Sequence, residues 1–223
     1  MTSKPVSQTP SHTQRIYEKL RNEIISCRLS PDERLKISDL AERHSVNPGA
    51  VRGALSRLTS ENLVLAETPR GFRVSPISKI DLEDLTNVRI EIETQCLQRS
   101  ILNASIDWES ALVAASYTLN RVSEQVPTEN SYLSDEWTKA HREFHSALVS
   151  ACDSLWLLRI REHLYAQSER YRRLSVPIAQ KERNTAEEHK LILEASLERN
   201  VEKAVQALAE HMRRTTLIIL ERN

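Results

Sequence analysis

The amino-acid sequence predicts a mainly α protein in two parts: a small N-terminal domain with a β-hairpin, then an all-α antiparallel helical bundle. Three observations carry this. Residues 38–75 hold two short helical patterns separated by a three-residue turn, followed by two short β-rich runs. The only glycines, Gly49, Gly53 and Gly71, lie in the N-terminal third, where an average chain of this length would spread roughly 16. Beyond Pro76 the helical periodicity is broken only by Pro127 and Pro177, both at plausible helix boundaries. A β-rich or dinucleotide-binding body needs glycine in its turns and phosphate loops, so those classes are excluded for the C-terminal part.

The first eleven residues are rich in Ser, Thr and Pro and lack an apolar core. They read as a flexible tail (1–11), not a signal peptide. In the domain expected over 12–76, Ser38 is expected to cap the first helix of the pair, with Leu40 and Ala41 facing inward and His44-Ser45-Val46 making the turn. Asn47 is a favoured N-cap, and Pro48 stands at the first helical position, where its missing N–H costs nothing. Val51, Ala54, Leu55 and Leu58 then form one apolar stripe. The opposite face carries Gly49, Arg52, Gly53 and Ser56, small residues around one arginine that permit close approach to base edges. Pro69-Arg70-Gly71 joins the two β-rich runs. This order of elements is a winged helix-turn-helix, whose second helix fits the DNA major groove.

Six helices are expected in the remainder (77–223), near 79–103, 107–125, 132–152, 155–174, 182–199 and 201–222, with Asp107 and Asn200 as N-cap neighbours. Four histidines fall on their inward stripes. His141 and His145 are four apart, on a face shared with Phe144, Leu148 and Cys152. His189 precedes Ile192 and Leu193 at i+3 and i+4, and His211 lies in the series Ala204, Leu208, His211, Thr215. Imidazoles converging from three helices suit a divalent transition metal; hydrogen-bonded core histidines are the other reading. Arg89 occupies the apolar seam Leu85, Arg89, Ile92, Cys96 and needs an anionic partner there. Glu93, another helix's carboxylate, or a bound carboxylate ligand would each serve.

Residues 1–75 carry 12 Lys/Arg against 8 Asp/Glu, a net of +4, and the remainder a net of −4 in a chain of zero formal charge. A basic head on an acidic body suits a DNA-binding head. Cys27, Cys96 and Cys152 are isolated and odd in number, as expected in a reducing cytoplasm without a disulfide framework. No apolar stretch is long enough to span a membrane.

The chain resembles the GntR superfamily of bacterial regulators, in its FadR-type branch with the all-helical FCD ligand-binding domain. The head carries the pattern in Val51-Arg52, Ala54-Leu55, Arg57-Leu58 and the wing's Arg70-Gly71. The resemblance implies a DNA-binding set of Ser38, Asn47, Gly49, Arg52, Ser56, Arg57, Arg70 and Gly71. It places a metal on His141, His145, His189 and His211, and an inward arginine for the effector at Arg89. Departures exist. His141 stands where the family usually has a metal-ligating Asp, which shifts preference from hard ions towards zinc or nickel, with manganese or iron as alternatives. Pro48 and Ser38 stand where arginines are common, and Gly53 where glutamate is, so DNA contacts should depend more heavily on Arg52 and the wing. The expectation is a cytoplasmic homodimer that binds palindromic operator DNA and is released from it by a small carboxylate beside the metal. The alternatives are a metal-free sensor whose histidines hydrogen-bond the effector, and a metalloenzyme. Against the enzyme, no glutamate or nucleophile is recognisably placed as a general base.

Overall fold

The computed structural model describes residues 11–67, 71–122, 134–175 and 183–221, and divides the chain into two compact units, 1–77 and 78–223. Each has its own hydrophobic core.

The first unit contains α1 (His12–Ile25), β1 (Arg34–Leu35), α2 (Ile37–Arg43), α3 (Pro48–Ser60), β2 (Val64–Glu67) and β3 (Gly71–Val74). Its sheet runs in the order β1-β3-β2, both pairings antiparallel, with Val64 opposite Val74 and Leu35 opposite Phe72. Ile16, Leu20 and Ile24 of α1 pack with Val51, Ala54, Leu55 and Leu58 of α3, and the stripe read from the sequence is entirely buried. Asn47 accepts a 2.8 Å hydrogen bond from the Ala50 amide, with Pro48 inside the first turn.

Ser38 does not cap α2. The helix starts two residues earlier, at Ile37, because Leu35 is taken up by the sheet and Ile37 already packs on the core. Lys36 is the N-cap without a side-chain bond, and the exposed Ser38 hydroxyl donates to Asp39 Oδ1.

The second unit is helical throughout its described residues: α4 (Lys79–Leu102), α5 (Ile106–Arg121), α6 (Asp135–Leu148), α7 (Leu155–Ser175), α8 (Thr185–Leu197) and α9 (Val201–Glu221). A short polar side chain stands before each. Ser78, Ser105, Ser134, Ser154, Asn184 and Asn200 accept from the amides of Asp81, Trp108, Trp137, Leu157, Glu187 and Lys203. Such caps satisfy amides that the first helical turn leaves unpaired. α5 thus starts at Ile106 behind Ser105, and Asp107 is an acid of its first turn. α6 is shorter than expected, ending at Leu148. Pro127 and Pro177 lie outside the described residues. α4 packs on α9 and α7, α8 on α9 and α5, and α5 on α6, around a core that includes Leu97, Trp108, Leu112, Phe144, Ile192 and Leu208.

Candidate functional site

On α3 the buried stripe leaves Gly49, Arg52, Gly53, Ser56 and Arg57 exposed. Arg52 has no hydrogen bond or ion pair among the described residues, so its guanidinium is available to an outside acceptor. Arg57 differs. It donates to Gln14 Oε1 at 2.7 Å and lies 3.7 Å over the Tyr17 ring, bracing α3 against α1. The Oδ1 of Asn47 is engaged in the cap. A Cβ at Gly53 would lie 3.2 Å from Thr13 Cγ2, so its smallness serves the approach of α1 as well as an open outer face. Gly71 has φ +98°, a conformation L side chains rarely adopt, and Arg70 lies outside the described residues.

In the second unit α6 supplies His141 and His145, α8 supplies His189 and α9 supplies His211. All four are buried, and one ligand atom from each falls within 4.8 Å of the others. Ring centroids are 4.4–6.2 Å apart. Trp137 stacks on His141, closing one side. Burial, reinforced by neighbouring imidazoles and arginines, pushes His141, His145 and His189 well below the ordinary histidine pKa. His211 is also lowered by burial, against the opposing hydrogen bond to Glu188. The rings are therefore neutral near pH 7, with lone pairs to give.

Three buried ring nitrogens, His141 Nδ1, His145 Nε2 and His189 Nε2, have no hydrogen-bond partner among the described residues. Unsatisfied buried polar atoms are destabilising, and four buried imidazoles packed this closely offer lone pairs that a shared cation would satisfy. The donor set fits a nitrogen-preferring divalent ion such as zinc or nickel.

Charged side chains surround the cluster. Arg89 donates to Glu93 Oε1 (3.1 Å from Nη2) and to Ser168 Oγ (2.8 Å), so Glu93 is its protein partner. Glu93, 1% exposed, is shared: Arg161 reaches its other oxygen at 2.6 Å and also donates to the His145 carbonyl. One carboxylate between two guanidiniums leaves an excess positive charge at Arg89. Arg89 lines a cavity of about 90 Å³ with His141, His145, His211, Tyr165 and Arg183. That is room for a small organic ion or several waters. The Tyr165 hydroxyl there is buried without a partner, and burial raises its pKa.

Two residues of this site were not read from the sequence. Glu188 Oε2 lies 2.8 Å from His211 Nδ1, and Arg183 donates to both Glu188 oxygens and to the His211 carbonyl. Burial raises the Glu188 carboxyl, but hydrogen bonds from His211 and Arg183 outweigh this and hold it at about 2. A glutamate therefore does stand beside the histidines. It is clamped by a guanidinium, which makes it a poor general base. Its position next to His189 in the sequence was the available signal; nothing local marked Arg183.

Comparison with known proteins agrees with both units. Residues 12–74 match the bacterial regulatory proteins of the gntR family, and residues 84–214 match the FCD domain. The chain belongs to the GntR family of bacterial transcriptional regulators. A relative from Paraburkholderia xenovorans, the uncharacterized HTH-type transcriptional regulator BphR, is 36% identical over 96% of this chain and 88% of its own length. The HTH-type transcriptional repressor GlaR of Escherichia coli is 30% identical over 88% of this chain and 90% of its own. The solved structure of E. coli McbR/YncC shares the fold, with a TM-score of 0.78 at 22% identity, covering 96% of this chain and 99% of that one. This GntR regulator is accordingly a DNA-binding transcriptional regulator and not an enzyme. None of its described helices is long and apolar enough to cross a membrane.

Proposed function

We propose that this regulator is a homodimeric repressor that leaves a palindromic operator when a small carboxylate binds beside a divalent metal in its helical body. The carrying observation is the set of four buried histidines with converging ligand atoms, opening on a cavity that Arg89 lines. His141, His145, His189 and His211 would hold the ion, which supplies a fixed positive charge for an anionic ligand. Arg89 faces the same cavity, and its carboxylate partner among the described residues is shared with Arg161, so it can take a second anion in bidentate fashion.

In the head, Arg52 would read a guanine edge from the major groove. Gly49 and Ser56 would permit close approach, and Asn47, Arg57 and Ser38 would meet the backbone nearby. Arg70 and Gly71 of the wing would contact phosphate or the minor groove. Two heads related by a dimer two-fold fit a palindromic site. A ligand gripped by α4, α6, α8 and α9 touches four helices at once, and it moves the DNA equilibrium only if its affinity differs between two arrangements of them. Repression is supported by relatives named as repressors: GlaR and RspR of E. coli and the gluconate operon repressor of Bacillus subtilis.

The deciding experiment is elemental analysis of protein purified without a His-tag or chelator, followed by thermal-shift screening of small organic acids with and without zinc. Near-stoichiometric metal and acid-dependent stabilisation that needs it are expected. Metal-free protein that cannot be reloaded, yet releases operator on adding an acid, would reduce the histidines to hydrogen-bonding pocket residues.

A further inference from the structure

The metal reading leaves a difficulty that the structure itself addresses. Four neutral imidazoles give a divalent cation no compensating charge. The surrounding arginines, Arg89, Arg161, Arg172 and Arg183, add to the positive field. Burying uncompensated charge is unfavourable, so a working centre needs a negative group in contact with its ligands.

We infer that Glu188 is that group, acting on the metal through His211 as a positioning residue; this rests on the metal reading above. Its Oε2 is 2.8 Å from His211 Nδ1, and both side chains are under a tenth exposed. Arg183 donates to both of its oxygens, so the carboxylate is ionised and can only accept. His211 must then carry its proton on Nδ1, leaving the Nε2 lone pair for the ion. The contact also fixes the ring's rotation and raises its basicity. Among the described residues, His211 is the one histidine of the four with a carboxylate at hydrogen-bond distance; the others each keep a buried ring nitrogen without a partner.

Glu93 and Glu169 are also buried nearby, but each binds guanidinium groups and none of the four rings. Among the described residues Glu188 is the carboxylate that touches a ring of the set, and it too is met by guanidiniums, Arg183 and, at 3.5 Å, Arg214. Arg183 is anchored beside this contact by Thr215 Oγ1 and the His211 carbonyl, both at 2.9 Å, and its Nη2 lies 3.3 Å from His211 Nδ1. A carboxylate hydrogen-bonded behind a ligating ring would lend charge while keeping all four contacts nitrogen. This is consistent with a preference for zinc or nickel over harder ions.

The test compares full-length wild type with Glu188→Gln, a neutral side chain of the same size. Zinc affinity is measured by competition with a chromophoric chelator, and the visible absorption of cobalt-loaded protein reports on the ligand field. The variant should bind zinc roughly 10–100-fold more weakly, with a shifted cobalt band. Glu188→Asp, which keeps the charge at shorter reach, should fall between the two and serves in its place if the glutamine protein does not fold. If Glu188 only anchors Arg183, Glu188→Gln will lower the melting temperature of metal-free and loaded protein equally. Zinc affinity and the cobalt spectrum will then match wild type, which overturns the inference while leaving the metal reading intact. Wild type unable to bind zinc at all overturns both.

Discussion

Arg52 and Arg89 are the same side chain in opposite circumstances. Arg52 stands exposed on α3 among small residues, with no partner of its own among the described residues. Arg89 is largely buried on α4, held by Glu93 and Ser168 at the wall of a cavity. The histidines divide likewise. His44 in the head is a single buried imidazole whose Nε2 lies 3.7 Å from Glu23, with both ring nitrogens unbonded. The body's four histidines point at one another. The difference teaches that burial alone does not make a site. Close packing of four buried rings marks the body's histidines, and an exposed charge with no partner among the described residues marks Arg52.

The largest expected effect tests the convergence. On the proposed metal site, His145→Ala or His189→Ala should lose bound metal by elemental analysis and abolish any organic-acid response, since each removes one of the four clustered imidazoles. Full metal content in either variant would break the comparison by making that ring a bystander. Next comes the exposed arginine. Arg52→Ala should forfeit about 1–3 kcal/mol of discrimination between operator and random DNA, at unchanged melting temperature, in a titration at fixed salt. Equal operator affinity would remove α3 from the reading role.

Arg89→Ala should keep the metal but weaken the effector by about 1.5–3 kcal/mol, the scale of a charge-assisted hydrogen bond. Glu93 retains Arg161, so the body should still fold. Metal lost along with effector would mean that Arg89 supports the ion and not the anion. Arg70→Ala is milder still. It should weaken all DNA sequences alike and lower the salt slope of binding by about one. A change in base preference instead would put the wing in the major groove.

The smallest effect concerns His44, whose pKa burial lowers from 6.5, Lys19 and Arg43 adding to this and Glu23 opposing it. A lowered folded pKa means that the unfolded chain binds the proton more readily. His44's neutral form therefore stabilises the head fully above pH 6.5, and that contribution fades as pH falls below it. The melting-temperature difference between wild type and His44→Gln should thus shift against wild type between pH 7 and 5. The body's histidines respond alike in both proteins and cancel. A difference independent of pH would show His44 packing as an uncharged side chain throughout.

What the sequence disclosed follows from the range of the interaction. Asn47-Pro48, the stripe from Val51 to Leu58 and the His141/His145 spacing are local patterns, fixed by helical geometry, and each stands in the structure where periodicity puts it. The inward direction of His189 and His211 followed the same way. Arg57 over Tyr17, Glu188 against His211 and Arg161 across Glu93 join residues 40, 23 and 68 positions apart. No period links such pairs, because the packing of whole helices brings them together. The Ser38 cap failed for a related reason: a strand of two residues, too short to show in the pattern, set the start of α2.

The scarcity of glycine reaches beyond fold class. The sharp reversals at Cys27, Asp32, Ser45, Asn62 and Arg199 are made with positive φ by residues that carry a side chain, and Arg199 also reaches Glu109 on α5. In the folded protein each left-handed residue is mildly strained relative to glycine. Before folding, the same residues wander over fewer conformations than glycine would, by an amount equivalent to about 0.4–1 kcal/mol each. The chain thus enters folding with less disorder to lose at these turns, four in the head and one, Arg199, in the body. Replacing Asn62 or Arg199 by glycine would relax the native turn and loosen the unfolded chain together, so these joints should tolerate the exchange with little net change in stability.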